Sequence, residues 1–129
     1  MNGREIALEA ARTLDSKKAM QIVVLAVSEL TVITDYLVIA TGRSVPQVKA
    51  LADHVQEELA KKDIFVKRKE GVSAGHWVVL DYGDVMVHIF HEKDRDYYQL
   101  EHLWSNGENE IAETEWISPS DADQEKPEE

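Results

Sequence analysis

The stretch from Tyr36 to Lys69 restricts the possible folds more than any other part of the chain. Tyr36–Thr41 is apolar and of strand length, and Gly42 ends it. Ser44 is placed to cap a following helix, and Gln47 three residues on completes a capping-box pattern. Pro46 falls in the first turn, where a missing N–H needs no intrahelical partner. Val48, Leu51, Ala52, Val55 and Leu59 then recur as one apolar stripe, which carries the helix to about Lys62. Its terminal lysines suit the negative end of the helix dipole. Ile64–Lys69 reads as a second strand. Strand, helix, strand is a crossover, so the two strands are expected to be parallel without having to be neighbours. A chain built around this unit belongs to the α/β class.

The flanking segments supply the remaining elements. Arg4–Leu14 is a helix, with Ile6, Ala10 and Leu14 every four residues and Ala7 and Ala11 beside them. Ile22–Val27 is a β-branched apolar run, the pattern of a strand covered on both faces. Glu70–Gly75 is a loop. His76–Asp81 and Asp84–His91 form a hairpin through Tyr82-Gly83, which would set Leu80 opposite Val85, Val79 opposite Met86 and Trp77 opposite His88. Alternation assigns Val78, Leu80, Val85, Val87 and Ile89 to one face, which is plain core. The other face holds Trp77, Val79, Asp81, Asp84, Met86, His88 and Phe90, a mixed set. Glu92–Trp104 is a final helix with Tyr97, Leu100, Leu103 and Trp104 on one stripe. Tyr98 falls on its opposite side near His102, and Glu101 lies between the two arcs. The architecture expected is a mixed sheet of about five strands with helices packed on it.

At 129 residues the chain supports one hydrophobic core. With 43% hydrophobic and 30% charged residues it has the balance of a globular domain. No apolar run approaches the roughly 18 residues of a membrane span. The chain has no cysteine, which removes disulfides, thiolate metal sites and cysteine nucleophiles. These features fit a cytoplasmic location. The net charge is −11, and most of the excess lies in Ser105–Glu129, where Lys126 is the only basic residue. The expected organisation is therefore a domain over 1–104 and an acidic, flexible tail over 105–129, whose removal would leave thermal stability nearly unchanged. Trp116-Ile117 is the one part of that tail able to dock back on the domain or onto a partner. A nucleic-acid binder gathers phosphates with basic surface. Here the cluster Lys61, Lys62, Lys67, Arg68 and Lys69 reads as a solvated face, and a basic protein is the more natural partner.

Chemistry-bearing patterns are sparse. His88 and His91 point to opposite faces of their strand. His76 shares a face with His91, but no third ligand is placed with them, so no metal site is expected. Asp81 and Asp84 could pair around a metal, yet acids commonly solvate hairpin corners. Thr41-Gly42-Arg43-Ser44 enters a helix N-terminus, but it lacks the glycine spacing of a phosphate loop. Ser28, Ser44, Ser73 and Ser105 have no surrounding nucleophile motif. The residues do not suggest an enzyme and imply no cofactor. Trp77 and Tyr98 are instead large amphipathic anchors of the kind found at interface hot spots. With Asp81, Asp84 and Glu101 at the rim they suggest a docking patch for a basic protein.

Several stretches, in order, resemble the ribosomal silencing factor family, also called Iojap-like. They are Asp35–Ser44 with Gln47 and Ala50, Glu70-Gly71 with Gly75-His76-Trp77, Leu80–Asp84 with Val87–Phe90, and Arg95, Tyr98, Leu100-Glu101 and Leu103-Trp104. The departures are small: Val45-Pro46 in a usually polar slot, and Met86 where Val or Ile is usual. The resemblance implies a nucleotidyltransferase-like topology without the catalytic motif of those enzymes. It implies docking on the large ribosomal subunit through the fourteenth large-subunit ribosomal protein. There the factor blocks the small subunit sterically, damps translation under nutrient limitation and assists large-subunit biogenesis. Homodimers are also known in the family. By matched position it implies Trp77 and Tyr98 as contact residues, with His88, Asp81, Asp84 and Glu101 as companions. The competing reading is a metal-dependent nucleotidyltransferase-like enzyme using Asp81 and Asp84.

Overall fold

The structure is a computed structural model; it describes residues 1–98 and 100–117, and side chains among these except at 96–101. The chain begins with α1 (Gly3–Ser16), followed by β1 (Met20–Ala26), β2 (Tyr36–Gly42), α2 (Val45–Ala60), β3 (Arg68–Glu70), β4 (Trp77–Asp81) and β5 (Val85–His91). Helical segments α3 (Glu92–Tyr98) and α4 (Leu100–Trp104) lie within the final helix expected over Glu92–Trp104. The five strands form one mixed sheet in the order β1-β2-β5-β4-β3. β2 and β5 are parallel, and the other neighbours are antiparallel. β2 and β3 consequently run the same way with β5 and β4 between them, as the crossover argument requires.

Each helix start follows from its cap. Asn2 accepts from the Glu5 amide at 2.8 Å, and the Glu5 side chain accepts from the Asn2 amide at 2.9 Å, a full capping box. Ser44 accepts from the Gln47 amide at 3.1 Å, but the Gln47 side chain takes the Arg43 amide, at 2.6 Å, one residue earlier than a capping box would. The end of α2 explains why β3 is short. Asp63 is left-handed at φ 64, its amide bonds the Ala60 carbonyl, and the Ile64 amide bonds that of Leu59, both at 3.0 Å. This termination consumes the Ile64 amide. The strand expected over Ile64–Lys69 accordingly narrows to Arg68–Glu70, while Ile64 and Val66 pack on the core from a loop.

Each face of the sheet carries a core cluster. Against α1 and α2 lie Val24, Val38, Ala40, Val78, Leu80, Val85, Val87 and Ile89. Leu25, Val27, Leu37, Ile39 and Phe90 pack on the other side, with Trp77, Met86 and Trp104 around them. The hairpin register differs from expectation by two residues: Trp77 pairs with Phe90, Val79 with His88 and Leu80 with Val87. The Tyr82 amide bonds the Val85 carbonyl at 2.8 Å, so the turn is Gly83-Asp84, with Gly83 at φ +92. Tyr82 is not a turn residue because its ring is 94% buried in the core. A slip of two preserves side-chain alternation, so the predicted faces stand.

The tail is corrected over residues 105–117. Ala26 donates to the Asn109 carbonyl at 2.9 Å and Ile111 to that of Val24 at 2.8 Å, so this segment lines the outer edge of β1. Trp116 is 3% exposed within the main core, and Arg12 Nε donates to its carbonyl at 3.0 Å. Docking by Trp116 therefore replaces the flexible appendage expected there, and a cut at Trp104 passes through folded structure. Leu103, expected on the buried stripe, is 73% exposed. No helix among the described residues is long and apolar enough to cross a membrane.

Candidate functional site

The second face of the sheet carries the candidate site. Trp77 opens β4 and is half-buried. Its indole N–H donates to Nδ1 of His88 at 3.0 Å. Its ring stacks on Phe90, with centroids 5.0 Å apart and planes at 25°. The observed register makes Phe90 the direct partner of Trp77 and His88 the diagonal one, and both are within reach of a large ring. Phe90 is fully buried and His88 7% exposed, so they support Trp77 from beneath. Burial pushes the His88 pKa down from 6.5 to about 4. The ring is neutral near pH 7, and because Nδ1 accepts, Nε2 carries the proton. Gly71 fixes the approach to the strand: it sits at φ +78, and a Cβ there would collide with the Trp77 carbonyl.

An apolar cleft of about 170 Å³ adjoins this core, lined by Val27, Thr31, Ile33, Thr34, Leu37, Met86, His88 and Trp104. In the loop that carries Thr31 and Thr34, Leu30 and Val32 stand exposed, as does the cleft-lining Ile33. This loop joins β1 to β2 and leaves three large apolar side chains in water. Isolated exposed apolar residues are ordinary, but a run of them beside an apolar cleft makes a candidate interaction surface. The sequence reading missed the loop. The signal was present in Leu30, Val32 and Ile33, apolar residues in a segment assigned to no element.

The acids of the hairpin serve its corner. Asp81 is half-buried and accepts from the Gly83 amide at 2.8 Å. Asp84 is exposed, and its carbonyl oxygen accepts from the amides of Asp35 and Tyr36, both at 3.0 Å. They do not belong to the one group with metal-ligand spacing found among the described residues. That group is His76, His91 and Asp94. The expectation that no third ligand joins the two histidines is corrected: Asp94, in the first turn of α3, supplies it. A histidine ending a strand, with an acid three residues on in a helix, was the available signal. The side chains of Tyr98 and Glu101 lie outside the described residues; their backbone places them at the end of α3 and in α4.

The loop Thr41–Ser44 is internally satisfied. Thr41 Oγ1 accepts from the buried Arg95 guanidinium at 2.7 Å and donates to Gln21 at 3.2 Å. The amides of Arg43 and Gln47 are already bonded. This network ties α3 to β2 and leaves little donor capacity for an anion.

The whole chain, residues 1–129, matches the family model "Ribosomal silencing factor during starvation". A ribosomal silencing factor from Halalkalibacterium halodurans is 39% identical over 106 residues, covering 82% of this chain and 91% of that protein. The chloroplastic Iojap protein of Arabidopsis thaliana is 35% identical over 100 residues, covering 78% of this chain and 42% of its own length. A crystal structure of a protein from Chromobacterium violaceum superposes with a TM-score of 0.78 at 37% identity, covering 87% of this chain and 95% of the other. The five-stranded mixed sheet and the match along the full length agree: the chain belongs to the ribosomal silencing factor family.

Proposed function

We propose that the protein is a cytoplasmic translation repressor that acts by occlusion. In this reading it docks on the large ribosomal subunit through the fourteenth ribosomal protein, at the joining face, and excludes the small subunit. The observation that carries the reading is a rigid, half-exposed Trp77 on a buried His88–Phe90 base, next to an apolar cleft and the exposed residues Val32 and Ile33. A pre-positioned indole loses little side-chain entropy on binding. The carboxylates Asp81 and Asp84 at the hairpin corner favour approach of a basic partner. Tyr98 and Glu101 are assigned to the same surface by family position. The mechanism requires no bond-making, so catalysis has no part in it.

Competition supplies the repression: a body of this size at the joining face and the small subunit cannot occupy the same space. The test is co-sedimentation with purified large subunits, followed by a joining assay. Wild-type protein should pellet with the large subunit and suppress joining, and Trp77→Ala should lose both. Joining that proceeds unhindered with the factor bound would defeat occlusion. A magnesium-dependent nucleotide-binding signal abolished by Asp84→Asn would instead favour the enzyme reading.

A further inference from the structure

Three side chains with metal-ligand chemistry meet at the end of the hairpin away from its turn. His76 immediately precedes β4, His91 ends β5, and Asp94 lies in the first turn of α3. The His91 amide donates to the His76 carbonyl at 2.9 Å, which holds the two histidines side by side. Their rings meet edge to face, with centroids 5.7 Å apart. Asp94 Oδ2 lies 3.2 Å from Nδ1 of His76 and 3.9 Å from Nδ1 of His91. One ligand atom from each residue falls within 4.8 Å of the other two. A tetrahedral ion with bonds of about 2.0–2.1 Å separates its donors by about 3.3–3.4 Å. The observed spacings bracket that value on two sides of the triangle, so small side-chain rotations close the site.

We propose that His76, His91 and Asp94 form a binding site for a zinc-class divalent transition metal, with a fourth position open to solvent. Two imidazoles and one carboxylate suit zinc, nickel or copper, whereas magnesium and calcium require oxygen ligands. The ligands come from three elements already packed together, so the site is largely pre-formed. The His76 side chain is 59% exposed and that of Asp94 30%, which leaves an entry path. Nδ1 of His91 is met by the Lys93 amide at 3.3 Å, a long hydrogen bond that a metal bond would replace. Occupancy would pin the first turn of α3 to the hairpin, adding a cross-link where Arg95 already bonds Thr41.

The test is zinc titration of the untagged, metal-stripped full chain by calorimetry. One site per chain of micromolar or tighter affinity is expected. His76→Ala, at a half-exposed position, should weaken it by at least about 10-fold without changing the circular dichroism spectrum, and Asp94→Asn should do likewise. His54→Ala and His102→Ala should leave it unchanged, and magnesium should not compete. Nitrogen shifts of the His76 and His91 rings should report coordination directly. Zinc affinity equal to wild type in both His76→Ala and Asp94→Asn, or no site tighter than about 100 μM, would overturn the proposal.

Discussion

The indole N–H of Trp77 donates to the imidazole Nδ1 of His88 across the β4–β5 hairpin at 3.0 Å. The bond exists only while His88 is neutral, because a protonated ring has no lone pair at Nδ1. Folding lowers the His88 pKa from 6.5 to about 4 through burial. The stability this neutral ring allows is therefore complete above pH 6.5 and drains away as the pH falls from 6.5 towards 4. The size of the effect is about 3 kcal/mol at most. Urea midpoints should fall between pH 7 and pH 4.5, and His88→Asn should show a flatter profile. Equal pH profiles for wild type and variant would remove His88 from the account.

The β1–β2 loop offers a cleaner probe of docking than the aromatic face. Val32 is fully exposed and Ile33 is 70% exposed. Val32→Glu should change folding stability by less than about 0.5 kcal/mol. If the proposed surface is correct, the same change should weaken large-subunit binding by about 10-fold, measured by co-sedimentation. Trp77→Ala should weaken it further, by roughly 2 kcal/mol, as truncation of an interface anchor does.

Trp116 is part of the main core. Trp116→Ala should lower stability by about 3–5 kcal/mol, the range for emptying a large aromatic site. Truncation after Trp104 should do at least as much, since it also removes the bonds of Asn109 and Ile111 to β1. Thermal midpoints of the two variants measure this.

The hydroxyl of Tyr82 is buried without a hydrogen-bond partner among the described residues. Burial also pushes its pKa up to about 12. Tyr82→Phe removes an unsatisfied group and leaves the ring packing intact, so stability should rise by up to about 1 kcal/mol. Chemical denaturation at pH 7 decides it.

What the sequence revealed depended on how local each signal was. The β2–α2 unit was legible because Ser44, Pro46 and the Val48–Leu59 stripe act within a few residues of one another. The hairpin faces were legible from alternation alone, whereas its register was not, since Gly83 permits two turn positions and burial of Tyr82 selects between them. Trp77 was singled out as a candidate anchor, and its contacts with Phe90 and His88 depend on that register. Residues 109–117 were misread because their partners, Val24, Ala26 and Arg12, lie far away in sequence. Trp116 was singled out as able to dock back, but the acidic composition around it pointed to a flexible segment. Asp94 escaped notice for a related reason: its distance from His76 is set by the strand-to-helix junction, not by spacing along the chain.

The outer strand β1 carries a further consequence. A free strand edge invites another chain to extend the sheet, and β3, at the opposite border, is short and fully charged in its exposed residues. β1 is longer and more apolar, and its Val24–Ala26 end is shielded by the polypeptide's own Asn109–Ile111. Each molecule thus covers that part of its own sheet edge. Proteolytic loss of that strip would leave β1 open to pair with the β1 of a second copy, a two-fold contact that closes on itself because the short, charged β3 border offers no second edge to extend it.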